Sequence, residues 1–378
     1  MTTGGRVSAD VVAESPERGV ADRSQIQGPH GKPDLLLEIE NLSVEYGRGP
    51  EAVVAVDEFD LTVGRGEVVG VVGESGSGKS TLAYAVMRLL REPGHVRSGR
   101  IVYHQRSADV GVELLSMETR QLRVLRWAEL AIVFQSAMNA LNPVLTLQAQ
   151  VEDVLRAHSP SANRSSRERR VAELLGLVGI PISRSRAYPH ELSGGMRQRA
   201  LIAIALALSP DLLIMDEPTT ALDVVTQRQI LEELLGLRAE LGFAAMFITH
   251  DLALIMDIAD RVVVMYAGRA VETGTAAELL HEPRHPYTVG LLNSFPTLSG
   301  PKRRLTGIPG SPPNLAELPS GCAFRPRCDR VMEVCGDYVP VLGPTGVAGD
   351  RSERRVRCWL FGETPGARDV VGGGGPSA

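Results

Sequence analysis

Short runs of apolar residues recur along the chain and predict strands that are buried on both faces. They span residues 68–72, 130–134, 212–216, 244–249 and 261–266. Segments of helical composition lie between several of these runs, among them 81–91, 117–126 and 200–208. Strands that alternate with helices are typical of a mostly parallel sheet. The pattern therefore predicts an α/β fold.

Two stretches depart from that alternation. Residues 35–63 partly alternate between apolar and polar positions, which predicts an antiparallel sheet leading into the strand at 68–72. Residues 139–191 contain two amphipathic segments, Leu147–His158 and Arg167–Val178, which predict a helical insertion. Residues 1–34 and 362–378 have no such periodicity and are predicted to be disordered.

The composition is that of ordinary globular material. Of the 378 residues, 43% are hydrophobic and 22% are charged, and this length allows two or three domains. No run approaches the roughly 18 consecutive apolar residues of a membrane-spanning helix, and the N-terminus lacks the apolar segment of a signal peptide. A cytosolic protein is expected. The net charge of −5 gives no electrostatic indication of nucleic-acid binding.

A glycine-rich loop follows the apolar run at 68–72 and precedes a helical segment. Such a strand–loop–helix arrangement directs backbone N–H groups and a helix N-terminus at one anionic group. Lys79 is expected to reach the β and γ phosphates of a nucleoside triphosphate, and the Ser80 hydroxyl to ligate Mg²⁺. A chance glycine-rich turn is the alternative. The loop residues are Gly73, Glu74, Ser75, Gly76, Ser77, Gly78, Lys79, Ser80 and Thr81.

Polar side chains follow three other apolar runs. They are Gln135, the pair Asp216 and Glu217, and His250. Ligands bind at the carboxyl ends of parallel strands, so all four are candidates for the same site. Asp216 would hold Mg²⁺, Glu217 would polarise the attacking water, and His250 would contact the γ-phosphate. For Gln135 and His250, a structural role at a strand end is the alternative.

Further candidates lie outside these strands. Tyr46 ends a predicted strand and could stack on an adenine face or pack at the strand edge. The run Ser193–Gly194–Gly195 precedes an apolar helix. It could form a second anion-binding helix N-terminus, and the alternative is an ordinary glycine-rich helix cap. Asp223 is expected to cap the helix that follows it.

The candidate motifs follow one another in the order found in the ATP-binding subunit of an ABC transporter. The chain resembles that family over residues of about 35–275. The most specific element is the run Leu192–Arg199, which resembles the ABC signature. The resemblance implies adenine stacking by Tyr46 and a D-loop role for Asp223. The signature residues, implied to complete a partner's ATP site, are Ser193, Gly194, Gly195 and Gln198. The implied catalytic residues are Glu217, His250 and Gln135, and the implied Mg²⁺ ligands are Ser80, Gln135 and Asp216.

The implied fold is a P-loop NTPase of the ABC ATPase type. It has a nucleotide-binding domain at 35–275, which includes an antiparallel β subdomain and a helical subdomain at about 139–191. A small cysteine-containing C-terminal domain follows at 276–361. The runs His285–Thr288 and Gly321–Cys328 resemble the tail of the oligopeptide/dipeptide/nickel importer ATPases.

Members of that group work at the cytoplasmic face of the cell membrane. Each is one of two non-identical ATPases under two membrane permeases, fed by an extracellular solute-binding protein. In that family each ATP lies between the phosphate loop of one subunit and the signature of another. The resemblance therefore implies that this chain, which has one loop and one signature, must dimerise. The expected function is ATP hydrolysis that powers import of peptides or nickel-type solutes.

The alternatives are an exporter motor and a non-transport ABC ATPase. An ABC ATPase of chromosome maintenance would carry a long coiled coil between the motifs, and a translation-type protein would carry two cassettes. The sequence has neither feature. An exporter motor stays open.

The four cysteines, Cys322, Cys328, Cys335 and Cys358, all lie near the C-terminus. Clustering in a cytosolic protein favours metal over disulfides, although buried free thiols are the alternative and the spacing alone does not choose the metal. The resemblance implies a [4Fe–4S] cluster, with zinc as the alternative. Arg325, Arg327 and Arg330 would offset its negative charge. Because the nucleotide motifs lie outside this segment, the cluster is expected to staple the tail rather than take part in hydrolysis.

Overall fold

The computed structural model describes residues 34–106, 110–135, 140–218, 223–294, 307–345 and 353–362. The two segments predicted to be disordered lie outside these ranges except for residues 34 and 362. The strands are β1 (Leu35–Tyr46), β2 (Val53–Gly64), β3 (Val68–Val72), β4 (Gly94–Tyr103), β5 (Val112–Glu113), β6 (Leu130–Val133), β7 (Leu212–Asp216), β8 (Ala244–Thr249), β9 (Arg261–Tyr266), β10 (Arg269–Thr275), β11 (Gly343–Pro344) and β12 (Arg355–Val356). The helices are α1 (Lys79–Val86), α2 (Thr119–Ala128), α3 (Leu147–His158), α4 (Arg164–Leu177), α5 (Gly194–Ala205), α6 (Val224–Leu241), α7 (Leu252–Ile258), α8 (Ala276–His281), α9 (Pro286–Asn293) and α10 (Val334–Asp337). None of these helices is long and apolar enough to cross a membrane.

The predicted buried strands form the parallel part of an eight-stranded sheet. Its order is β11-β12-β10-β9-β3-β8-β7-β6, and β9, β3, β8, β7 and β6 run parallel. Every residue of β3 is buried because its side chains alternate between two cores. Val69 and Val71 enter the core shared with β1 and β2, and Val68 and Val72 enter the core shared with the helices. The carboxyl ends of β3, β6, β7 and β8 therefore meet at one edge.

The predicted antiparallel sheet is also present. Its strand order is β2-β1-β4-β5, and β1 pairs with both β2 and β4 in antiparallel register. Within the stretch 35–63, the apolar residues at 53–56 and 59–63 belong to one continuous strand, β2. Glu58 interrupts their alternation with a φ of +47° at an irregular point of the β1–β2 register. This residue accounts for the break in the sequence pattern.

Several helix boundaries differ from the prediction, and at two of them the local backbone or a capping side chain shows why. The helix expected over 81–91 ends at Val86 because Arg88 takes a left-handed φ of +49°. The Arg88 and Leu89 N–H groups then donate to the carbonyls of Ala85 and Tyr84, which closes a Schellman-type turn. The helix expected from residue 167 starts at Arg164 because the Asn163 side chain caps it, accepting from the Ser166 N–H.

The C-terminal residues pack directly on the central sheet. Strand β12 pairs with β10, so the tail extends the sheet beyond β9. Glu272 of β10 is fully buried and accepts hydrogen bonds from the His285 N–H at 2.9 Å and the Arg354 guanidinium at 2.7 Å. Tyr287 and Phe324 belong to the same hydrophobic cluster as the core helices. The domain boundary at residue 276 stays a prediction.

Candidate nucleotide site

The loop between β3 and α1 is folded closely against two neighbouring strands. Gly78 has a φ of +102°, and a Cβ placed there would lie 2.2 Å from the carbonyl oxygen of Ala55. A Cβ at Gly73 would lie 2.3 Å from the carbonyl oxygen of Met265. Both positions therefore require glycine. Since α1 begins at Lys79, its unpaired N–H groups face this loop.

Lys79 is held inside the loop. Its side chain is buried, and Nζ donates to the carbonyl oxygens of Gly73 at 2.7 Å and Glu74 at 2.8 Å. Burial lowers the pKa of Lys79, and the carboxylates of Glu217 and Asp216 act in the opposite direction. The ammonium group thus lies where an anion bound by the loop would meet it.

Asp216 and Ser80 supply oxygen atoms that suit Mg²⁺. The Ser80 hydroxyl donates to Asp216 Oδ1 at 2.9 Å. Asp216 is fully buried at the end of β7, and its Oδ2 has no hydrogen-bond partner in the described part of the chain. Burial raises the pKa of Asp216 to about 6. A buried carboxylate oxygen without a partner beside a hydroxyl fits a hard divalent cation.

Glu217 lies between two of the other predicted residues. The Gln135 amide donates to Glu217 Oε2 at 2.8 Å, and His250 Nδ1 lies 3.3 Å from Oε1. Glu217 has a φ of +45°, the uncommon left-handed conformation that Glu58 and Arg88 also adopt. The structure thus brings Gln135, His250 and Glu217 together around one carboxylate. The Mg²⁺ ligand role of Gln135 stays a prediction, since its amide contacts Glu217.

The remaining candidates occupy helix ends and a strand end. The Tyr46 hydroxyl lies 3.3 Å from the Thr81 hydroxyl at the start of α1. Ser193 caps α5 by accepting from the Met196 N–H, and Gln198 of that helix is buried. Asp223 caps α6 by accepting from the Thr226 N–H at 3.0 Å, as expected. The nucleotide roles of these residues stay predictions.

Comparison with known proteins identifies the family. Residues 56–220 match the family described as ABC transporter, and residues 271–335 match the one described as oligopeptide/dipeptide transporter, C-terminal region. A putative peptide import ATP-binding protein of Brucella ovis is 48% identical, over 81% of this chain and 93% of its own length. The chain belongs to the ABC transporter ATP-binding proteins. It is therefore an ATPase with the ABC ATPase fold.

Other similarities agree with this family. The dipeptide transport ATP-binding protein of Escherichia coli is 44% identical to this ABC ATPase, over 81% of this chain and 92% of its own length. A solved dimeric ATP-binding cassette in a post-hydrolysis state, bound to ADP and Pi, matches with a TM-score of 0.55 at 26% identity. It covers 64% of this chain and 99% of its own.

The sequence did not predict two contacts between the tail of the ABC ATPase and its phosphate loop. The Tyr287 hydroxyl accepts from the Glu74 N–H at 2.8 Å. The Arg327 guanidinium pairs with the Glu74 carboxylate at 2.6 and 2.9 Å. Arg327 was expected to offset charge around the cysteines, but its guanidinium is directed at the loop instead. In the sequence, these contacts could have been suspected only from the presence of the loop and the tail motif in one chain.

The four cysteines line one cavity in the tail, beside Phe324 and His285. The Cys322 N–H donates to the Cys335 carbonyl at 2.9 Å. Burial raises the pKa of the Cys322 and Cys328 thiols, and that of Cys358 to about 11. Within the described ranges, no group of three or more Cys, His, Asp or Glu side chains is arranged to hold a metal ion. The cluster prediction is therefore not confirmed.

Proposed function

We propose that this ABC ATPase binds ATP with Mg²⁺ at the loop 73–81 and hydrolyses it to power peptide import through membrane permeases. The observation that carries the hydrolytic role is the grouping of Gln135 and His250 around Glu217, next to Asp216, whose Oδ2 has no hydrogen-bond partner among the described residues. The transport role is supported by the match at 271–335 and by relatives described as peptide and dipeptide transport proteins.

Each residue of the site has a role that follows from its position. Lys79 and the loop N–H groups bind the phosphates, while Ser80 and Asp216 hold Mg²⁺, which neutralises phosphate charge when bound. Glu217 accepts a proton from the attacking water. Gln135 and His250 orient the Glu217 carboxylate and contact the γ-phosphate side of the site. Tyr46, next to Thr81, stacks on the adenine ring.

The functional unit is a dimer with a second, non-identical ATPase. Ser193, Gly194, Gly195 and Gln198 complete the partner's ATP site, and Asp223 lies at the interface. A solved cassette of similar fold is dimeric, which supports the arrangement. The subunits sit at the cytoplasmic face of the membrane under two permeases, with an extracellular solute-binding protein. The nucleotide-binding part spans 35–275, with its helical subdomain at about 139–191.

We expect the isolated chain to remain monomeric with MgATP and to hydrolyse it slowly, because each site lacks the partner's signature. Light scattering after size-exclusion chromatography measures the first property and a phosphate-release assay the second. A stable homodimer with full hydrolysis in the absence of permeases would contradict the heterodimer. Copurification from membranes then separates importer from exporter, since an importer requires a solute-binding protein for stimulated turnover.

For the C-terminal part at 276–361 we propose a [4Fe–4S] cluster on Cys322, Cys328, Cys335 and Cys358, whose side chains as described are not arranged around a metal ion. The support is the residue set itself, since all four line one cavity. A bound cluster would crosslink a segment with little core of its own.

Anaerobic purification followed by iron, sulfide and zinc analysis is expected to give iron and sulfide in equal amounts. Replacing Cys335 by Ser should remove them. Replacing the exposed Ser320 of the same segment by Ala is the control and should keep them. Zinc without sulfide would replace the cluster by structural zinc, and no metal at all would leave buried thiols.

A further inference from the structure

Glu74 is held at three points of its structure. Its N–H donates to the Tyr287 hydroxyl at 2.8 Å, and its carbonyl accepts from Lys79 Nζ at 2.8 Å. Its carboxylate accepts two hydrogen bonds from Arg327, at 2.6 and 2.9 Å. Two of the three partners belong to the C-terminal segment. The backbone position of Glu74 and the direction of its side chain therefore both depend on that segment.

The Arg327 side chain is held in place by contacts other than the one with the loop. Only 5% of its side chain is exposed, and Nε donates to the Pro309 carbonyl at 2.7 Å. The guanidinium carbon lies 5.9 Å from the centre of the Tyr266 ring, at the edge of an aromatic cluster with Phe324. Hydrogen bonds from Arg327 to Glu74 raise the pKa of Arg327, so the charge is permanent. A buried arginine with so many contacts has one available geometry.

Tyr287 is equally constrained. It is fully buried near the start of α9 and packs 4.6 Å from Tyr266 and 5.4 Å from Phe324, measured between ring centres. Its N–H donates to His285 Nδ1 at 3.0 Å. Burial lowers the pKa of His285 to about 3, so the imidazole stays neutral and keeps this acceptor. The Tyr287 hydroxyl therefore meets the Glu74 N–H from a rigid position.

We propose that Arg327 and Tyr287 are positioning residues of the phosphate loop, so that the tail sets the affinity of this ATPase for ATP. The Glu74 carboxylate lies in a loop that must accept a triphosphate, and an uncompensated negative charge there would oppose binding. The two-point pairing with Arg327 neutralises this charge and holds it to one side. The inference rests on the proposed ATP site at residues 73–81.

The contact between Arg327 and Glu74 connects the phosphate loop with the cavity that the four cysteines line. Phe324 and Cys328 both line that cavity, and Arg327 lies between them in the chain. The side chain that contacts the loop is thus attached to the wall of the cavity. A change in this wall affects Glu74 only where it moves Arg327 itself.

A double-mutant cycle tests the proposal, with MgATP titrated into the full chain by calorimetry. Arg327→Ala should raise the dissociation constant about ten- to a hundredfold, because it leaves a charged acceptor without its partner. In a Glu74→Gln background the same replacement should have a much smaller effect, since no carboxylate remains to be neutralised. Arg327→Lys, which keeps the charge but not the paired geometry, should fall between Arg327→Ala and the wild type.

Arg325→Ala is the matched control. Arg325 donates to the Gly336 carbonyl at 3.1 Å within the tail, so its loss loosens the tail without touching the loop. Its ATP affinity should stay within about twofold of the wild type. Tyr287→Phe is a milder second variant that removes only the acceptor of the Glu74 N–H. It should weaken ATP binding several-fold, and it keeps the test available if Arg327→Ala does not fold.

Three results would overturn the inference. They are unchanged ATP affinity in both Arg327→Ala and Tyr287→Phe, an equal loss from Arg327→Ala in the wild-type and Glu74→Gln backgrounds, and an equal loss in Arg325→Ala. The second or the third of these results would mean that Arg327 only stabilises the tail and does not position the loop. Failure of the wild-type chain to bind MgATP would instead reject the proposed ATP site, so the two ideas fail separately.

Discussion

Replacing Glu217 by Gln is expected to remove most ATP hydrolysis while ATP binding stays close to that of the wild type. The amide keeps the shape of the carboxylate but cannot accept a proton from water. A general base contributes about 10²- to 10⁴-fold to a rate, so the loss in turnover should fall in that range. Phosphate release by the assembled transporter measures turnover, and calorimetry measures ATP binding.

The structure sharpens this expectation. Gln135 donates to one Glu217 oxygen at 2.8 Å, and His250 Nδ1 lies 3.3 Å from the other. Because the substitution leaves both neighbours in place, it removes transition-state stabilisation and little ground-state binding. Glu232→Gln, on the exposed face of α6, is a chemically matched control and should hydrolyse ATP normally. Wild-type turnover by Glu217→Gln would refute the assignment.

The nucleotide motifs were predictable because each is a local feature. The run 68–72 is apolar at nearly every position, which is what burial on both faces of β3 requires. The residues that follow β3, β6, β7 and β8 meet because parallel strands share an edge, so Gln135, Glu217 and His250 could be placed together without a structure. Asp223 was predictable as a cap from its position before α6.

Features that depend on distant contacts were not predictable in this way. Glu74 and Arg327 are 253 residues apart, and neither position shows periodicity that would indicate a pair. The end of α1 was misplaced because Arg88 adopts the left-handed conformation that a sequence pattern assigns to glycine. The resemblance implied a small C-terminal domain at 276–361, and it gave no indication that Phe324 and Tyr287 pack into the core of the ATPase.

Replacing Lys79 by Ala is expected to weaken ATP binding itself, in contrast to Glu217→Gln. Nζ now donates to the carbonyls of Gly73 and Glu74, so the loop loses internal hydrogen bonds as well as its charge. Loss of a charge-assisted hydrogen bond to a phosphate should raise the dissociation constant about ten- to a hundredfold. Titration of MgATP into the full chain measures this change.

Two further variants separate charge from position. Lys79→Arg keeps the charge but places a planar fork where the loop accommodates a compact ammonium group, so it should recover only part of the affinity. Arg91→Ala removes an exposed positive charge beyond the end of α1 and should bind ATP as the wild type does. Because Lys79 is buried and Arg91 is exposed, equal effects of the two alanine variants would mean that only net charge matters. Unchanged affinity in Lys79→Ala would show that the phosphates bind elsewhere.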